Sequence, residues 1–233
     1  AARPSPPAGH IRFDGVGHGS RRAVDLDIAA GELVGVVTTD PATATDLLAC
    51  LDRSADPADG TVRVDGVDLS TVDPSRVREV VLVAAHDAAL FEGTLTANVG
   101  ASPDAAEAMT ASAADEVAAA LPRGAATMVT ERGRSLSGGQ RQRVALARAL
   151  AAGAPVLVVH DPTTAVDTVT EARIAAGLAR LRRGRTTILV TTSPALLAVT
   201  DRVIVLDGGA VAAQGTHAAL VHERADYREA VLS

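Results

Sequence analysis

The stretch VVTTDPATATDLLACL, Val36 to Leu51, constrains the chain most. A β-branched strand runs into a short loop, and a helix with apolar residues at helical spacing follows. From Pro155 the same alternation returns: strand VLVV, helix EARIAAGLARL, strand TTILVT, a short helix, strand RVIVLDGG. Strands with continuous apolar runs that alternate with helices predict a mostly parallel sheet covered on both faces. DGGA near Gly208 marks a terminal hairpin. The first third instead carries short β-branched runs, IRFDGV, AVDLDI, ELVGVV and, after a turn read at Asp59-Gly60, TVRVDGVDL, which predict a hairpin-rich sheet. Between about Leu90 and Gly153 the pattern is helical and alanine-rich, as expected of a separate helical lobe. A chain of 233 residues suits one large domain or a core with such an inserted lobe.

Composition excludes several functions. The net charge of -6 argues against non-specific nucleic-acid binding. Phe13, Phe91 and Tyr227 are the only aromatic residues, too few for a base-stacking surface. Cys50 falls within an apolar helix and reads as a small buried residue of a reducing compartment. No apolar run reaches the ~18 residues of a membrane span and no signal peptide is evident, whereas AARPSPPAG, residues 1–9, reads as a linker or boundary segment.

The opening stretch also has the layout of a P-loop, G-x-x-x-x-G-K-[ST], in which glycine amides and a lysine cradle phosphates. On that template the glycines are Thr38 and Thr43, the lysine is Ala44, and Thr45 alone still offers the hydroxyl that the template asks for; Thr39, Asp40, Pro41, Ala42 and Asp46 complete the altered loop. No lysine occurs anywhere in the chain, so the missing ammonium cannot come from elsewhere in it. Pro41 deletes an amide donor, and Asp40 brings negative charge close to where phosphates would sit. The residues also suit a different job. Asp40-Pro41 is a good N-cap and first-turn pair, and Thr43 to Asp46 fits a loose capping box, so the helix could cap itself.

SLSGGQRQRVALARAL, Ser135 to Leu150, is the most specific feature. A serine and two glycines ahead of a periodic helix leave backbone amides that favour an anion, although an ordinary capped helix would look the same. The longer run resembles, almost letter for letter, the signature of ATP-binding-cassette (ABC) nucleotide-binding domains. VLVVHDPTTAVD is similar to the Walker B strand and D-loop of that family, and ALFEGTLTANV, LPRGAATMVTERGRSLSGGQ and DRVIVLDGGAVAAQGTHAALV match its exporter-type members. The resemblance runs from about Ile11 to the C-terminus. It implies an α/β P-loop NTPase-like (RecA-like) core at 10–88 and 154–233, with an N-terminal antiparallel β subdomain. A helical signature subdomain at about 89–153 is inserted, and residues 10–233 form one nucleotide-binding domain.

The same resemblance assigns roles. Leu136, Ser137, Gly138, Gly139 and Gln140 stand as the signature, which acts on ATP held by another domain, and Asp167 stands as the D-loop aspartate. Glu131-Arg132-Gly133 corresponds to the loop that faces transmembrane domains. The adenine-stacking aromatic falls on Ser20, with His18 nearby; the magnesium-sensing glutamine falls on His86. The magnesium-holding aspartate falls on His160, the general-base glutamate on Asp161, and the switch histidine on Thr192. His86, His160 and Asp161 could form a transition-metal site or be drifted residues of an unused pocket. His10, His18, His217 and His222 read as surface or loop histidines.

Two readings compete on these residues. In one, the chain is the degenerate half of an exporter's nucleotide-binding pair and donates its signature in trans. Its partners are then a second domain with intact Walker motifs and transmembrane domains, at the cytoplasmic face of the cell membrane. ATP and Mg2+ are held mainly by the partner, and no nucleic acid is involved. In the other, the chain is an atypical ATPase working through Asp161 or His160. A third role, as scaffold or regulator, uses no nucleotide.

Overall fold

A computed structural model describes residues 7–17, 23–86 and 89–232. In chain order it contains β1 (Ile11–Gly17), β2 (Val24–Ile28), β3 (Leu33–Thr38), α1 (Pro41–Asp52), β4 (Asp59–Val64), β5 (Val67–Asp68), α2 (Pro74–Val80) and β6 (Val81–Ala84). There follow β7 (Gly93–Thr94), α3 (Leu95–Val99), α4 (Ala105–Ala111), α5 (Ala114–Ala120), β8 (Met128–Val129), α6 (Gly138–Ala151), β9 (Val156–His160) and α7 (Thr168–Leu181). The chain ends with β10 (Thr187–Val190), α8 (Pro194–Leu197), β11 (Arg202–Asp207), β12 (Ala210–Gly215), α9 (His217–Glu223) and α10 (Ala225–Leu232). Contacts divide it into two units. The first runs up to Val83 and takes in Ala154–Val158 and the residues from Arg183 onward; the second is Ala84–Gly153 with Val159–Arg182.

The first unit holds a four-stranded sheet in the order β2-β1-β4-β5, whose β1–β2, β1–β4 and β4–β5 pairs are antiparallel. Period-two patterning builds it: Phe13 lies opposite Leu26 and Val62 on the buried face, while Arg12, Asp25 and Asp27 point to solvent. The second sheet has six strands in the order β12-β11-β3-β10-β9-β6. β3 pairs in parallel with both β10 and β11, and β12 closes the edge as an antiparallel hairpin with β11. Being central, β3 is buried from Leu33 to Val37. Val34 and Val36 pack with Val158, Ile188, Ile204 and α1's Leu47 and Leu51, whereas Val37 joins Val203, Leu197, Leu220, Tyr227 and Val231 on the opposite face. The architecture is therefore α/β, a mostly parallel core sheet covered on both faces beside an antiparallel subdomain.

Two local expectations change. Asp59 and Gly60 are not a turn; they open β4 beside the bulge of β1 between Asp14 and Gly17. Gly60 takes φ +80 there, and a Cβ would strike the Asp14 and Gly15 carbonyls. The turn is Asp65-Gly66, with φ of 50 and 79, and Asp65 Oδ1 accepts the amides of Gly9 (3.0 Å) and His10 (2.9 Å). After the terminal hairpin the chain continues into α9 and α10, which lay an apolar face on the sheet through Leu220, Tyr227 and Val231.

The second unit is helical, with a small antiparallel β7–β8 ribbon. The alanine-rich run forms two helices, α4 and α5, broken at Ser112 and at Ala113 (φ 56). Alanine fits any buried face, so its spacing does not distinguish one long helix from two. α4 approaches α7 closely at Gly177, where a Cβ would lie 2.7 Å from Ala111 Cα and O. Glu116 of α5 ties the bundle electrostatically to Arg173 (2.6 Å) and Arg143 (3.7 Å). Among the described residues, no helix is long and apolar enough to cross a membrane.

Candidate functional site

In the first unit, β3 ends at Thr38 and α1 begins at Pro41, so Thr39 and Asp40 alone separate them. Asp40 is the N-cap (φ -99, ψ 106), and its Oδ1 accepts the Ala42 amide at 3.0 Å. Asp40 Oδ2 accepts the Thr43 hydroxyl at 2.9 Å, and the amides of Thr43 and Ala44 donate to the Asp40 carbonyl at 3.1 and 3.4 Å. The Asp40 amide itself donates to Thr38 Oγ1 at 3.2 Å, and Pro41 has none to offer. Thr45 turns its hydroxyl back to the Pro41 carbonyl at 2.9 Å. Self-capping therefore holds, but through Asp40: Thr43 is the third helical residue and cannot be an N-cap, which corrects the capping box read from Thr43 to Asp46. Ala42 is exposed and Asp46 half-buried, while Thr43 and Ala44 are buried, and Ala44, at the lysine position, packs in the same apolar cluster as Leu47. Amides that a P-loop aims at phosphate are thus spent on the chain's own oxygens.

Thr192 is exposed in the segment between β10 and α8. Cys50 is buried in α1, where desolvation, with Asp46, Asp56 and Asp52 adding to it, pushes its thiol up to about 11. It is unreactive at neutral pH. Ser20 and His18 lie outside the described residues.

In the second unit, Ser137 caps α6 in a complete capping box. Its hydroxyl accepts the Gln140 amide at 3.3 Å, and Gln140 Oε1 accepts the Ser137 amide at 2.9 Å. Leu136 is buried, and its carbonyl accepts from Arg141 at 2.8 Å. By position the Gly138 and Gly139 amides lie ahead of the first intrahelical donor, the Arg141 amide, the arrangement that suits an anion. Gly139 also lies against the loop that follows β9: a Cβ would run into the Ala165 carbonyl. Gln142 bonds that loop at Thr164 and Ala165. Asp167 caps α7 by accepting the Thr170 amide at 2.9 Å, and hydrogen bonds from Thr170 hold its carboxyl below the usual carboxylate range.

His86, His160 and Asp161 come together within this unit. His86 Nδ1 lies 3.2 Å from the Asp161 carbonyl, which can only accept, so that nitrogen carries the proton. His160 Nε2 is 3.6 Å from Asp161 Oδ2, and the two imidazole centroids are 6.1 Å apart. Asp161 has φ 41, a strained conformation for a residue with a Cβ. Among the described residues, no group of three or more His, Cys, Asp or Glu side chains is placed to hold a metal ion. A cavity of about 710 Å³ adjoins the start of α6, lined by Arg132, Arg134, Arg141, His86 and Gln142 among others. The spacing arguments did not anticipate this arginine trio, although ERGRSLSGGQR carries all three within one short run.

Comparison with known proteins decides the family. The family model described as ABC transporter matches residues 22–164. The chain belongs to the ABC transporter family. Among ABC transporter relatives it is 36% identical over 225 residues to an ATP-dependent lipid A-core flippase of Burkholderia orbicola, covering 91% of this chain and 38% of that protein. A flippase of the same description from Thiobacillus denitrificans is 35% identical over 213 residues, 88% of this chain and 37% of the relative. The chain therefore spans well under half the length of these relatives. The solved structure of a bacterial Atm1-family ABC exporter with ATP bound superposes with a TM-score of 0.87 at 32% identity, covering 99% of this chain and 44% of that one. The fold is that of an ABC nucleotide-binding domain, a P-loop NTPase-like core with its antiparallel and helical parts.

His217 is half-buried at the start of α9, where its Nδ1 lies 2.7 Å from the hydroxyl of buried Tyr227, with the rings edge to face. His10 pairs with Asp27 at 3.1 Å, and His222 is exposed.

Proposed function

We propose that the chain is the nucleotide-binding domain of an ABC exporter and drives transmembrane transport as the degenerate half of a pair. Residues 10–233 form this domain, with its core at 10–88 and 154–233 and its helical subdomain at about 89–153. It sits at the cytoplasmic face of the membrane beside transmembrane domains. Its own Walker site holds no nucleotide, and its signature, Leu136 to Gln140, with Asp167 completes the ATP site of a second domain whose Walker motifs are intact. ATP and Mg2+ are held mainly by that partner.

The observation that carries this reading is the start of α1 at Pro41, capped by Asp40. Hydrogen bonds to charged groups contribute ~1.5–3 kcal/mol each. Loss of the lysine, the Pro41 amide and the self-bonded amides removes about 5 kcal/mol or more, roughly a thousandfold in affinity. Asp161 reaches less far than glutamate, and Thr192 offers no imidazole, so hydrolysis at this site loses its base as well.

Isothermal titration of the chain with MgATP tests the reading. The expected outcome is no saturable binding below millimolar concentration. Micromolar binding with phosphates seated on Thr38 to Thr45 would overturn the empty-site reading, and turnover by the chain alone would then point to the atypical ATPase through Asp161 or His160.

A further inference from the structure

Gln142 spends its side chain on a neighbouring loop. Its Nε2 donates to Thr164 Oγ1 at 2.7 Å and its Oε1 accepts the Ala165 amide at 2.9 Å. Both partners lie between β9 and α7, just ahead of Asp167. The same loop meets α6 a second time at Gly139, the one signature position where a Cβ would collide with the Ala165 carbonyl. The loop is also tied to α7, Thr163 Oγ1 donating to Glu171 Oε1 at 2.5 Å, and it closes on itself where the Val166 amide donates to the Thr163 carbonyl at 2.9 Å. An amide that gives one donor and one acceptor to consecutive loop residues fixes the loop's orientation as well as its distance. The capping box satisfies the helix; Gln142 satisfies the loop.

We infer that Gln142 is a positioning residue that fastens the loop Thr163–Val166 onto the start of the signature helix, so that signature and D-loop meet a partner domain as one rigid edge. Ordering the loop before assembly removes an entropic cost that the complex would otherwise bear. The inference rests on the reading that the signature works in trans, and its test separates the two.

The variants are Gln142→Leu, which keeps the bulk without the bonds, Gln142→Glu, and Thr164→Val. The first readout is amide hydrogen exchange in the chain alone. Gln142→Leu should speed exchange at Ala165 by about tenfold, the scale of one lost hydrogen bond, and leave the amides of Val144 to Leu150 unchanged. Gln142→Glu should restore protection, because a carboxylate accepts both the Ala165 amide and the Thr164 hydroxyl. The second readout is turnover by the complex assembled with a partner of intact Walker motifs. Gln142→Leu should lower kcat by about tenfold with little change in KM, and Thr164→Val should add less to it than it costs alone, as expected of two residues that share one contact.

Unchanged exchange at Ala165 in Gln142→Leu overturns the clamp without bearing on action in trans. Faster exchange with unaltered kcat, in a complex that Ser137→Arg inactivates, overturns the positioning role and leaves the trans reading standing. If Ser137→Arg is itself without effect, the trans reading falls and this inference with it. Should Gln142→Leu fail to fold, Thr164→Val, which replaces a hydroxyl by a methyl group, tests the Nε2 half of the clamp: a lowered kcat supports the positioning role and an unaltered kcat overturns it.

Discussion

At the scale of single residues, Ala44 bears on the proposal that this chain's own nucleotide site is empty. Its methyl group is 5% exposed in the apolar cluster of the first unit, so a lysine there must overfill the cluster or bend its stem out of it. Ala44→Lys should lower the stability of the chain by ~1–3 kcal/mol in urea titrations. Combined with Thr43→Gly it should still not restore ATP binding, because Asp40 and Pro41 keep the helix start closed. Micromolar affinity in that double variant would show that the cap is not what closes the site. His217 makes a second residue-scale prediction. Desolvation lowers its pKa from the ordinary 6.5, so below that value the unfolded chain takes up a proton more readily than the folded one. Stability is then fully present above about pH 6.5 and declines as pH falls from there through the lower folded value. His217→Gln, which keeps an acceptor for the Tyr227 hydroxyl, should flatten that part of a melting-temperature profile between pH 7.5 and 5; an unchanged slope would place the titration elsewhere.

At the scale of elements, the helix pair α4–α7 depends on a missing side chain. Gly177→Ala sets a Cβ 2.7 Å from Ala111 Cα and O, and repacking of this kind costs ~1–3 kcal/mol. The expected readout is a lower denaturation midpoint, with the loss concentrated in the exchange protection of α4 and α7; a neutral Gly177→Ala would show that these helices separate readily. Gly177 also shows where the sequence stops being legible. Strands such as β3 announce themselves because burial on both faces demands an unbroken apolar run, and α6 does so because Ser137 and Gln140 form a box that can be read from spacing alone. The break at Ser112–Ala113 leaves no such mark, since a run of small residues satisfies either geometry. Asp59-Gly60 and Asp65-Gly66 are the same dipeptide type, and only cross-strand pairing makes the second the turn and the first the side of a bulge. In the candidate site the cap of α1 by Asp40, with Pro41 in the first turn, was legible in the sequence. The two contacts of Gln142 were not, because nothing in its own neighbourhood names Thr164 and Ala165, 22 and 23 residues on, as partners.

At the scale of the whole molecule, the proposed function divides the motifs of the chain between two ATP sites. On the proposed reading, the positions that would serve ATP bound by this chain are Thr38, Thr43, Ala44, His86, His160, Asp161 and Thr192, and those that act on a partner's ATP are the signature and Asp167. The structure of the second unit refines how that division is tested. Gly139→Asp is a poor probe, because its side chain would displace the Ala165 loop as well as meet an incoming phosphate. Ser137 is exposed, so Ser137→Arg blocks the face of α6 at the cost of one helix cap, about 1 kcal/mol. The most direct measurement is ATP turnover at saturating ATP by the complex assembled with a partner of intact Walker motifs, assembly being checked for each variant. Ser137→Arg should reduce turnover by orders of magnitude, and Asp161→Asn should change it by less than about threefold, under ~1 kcal/mol of barrier. A loss confined to Asp161→Asn would contradict the account, because this chain would then be hydrolysing ATP in its own site.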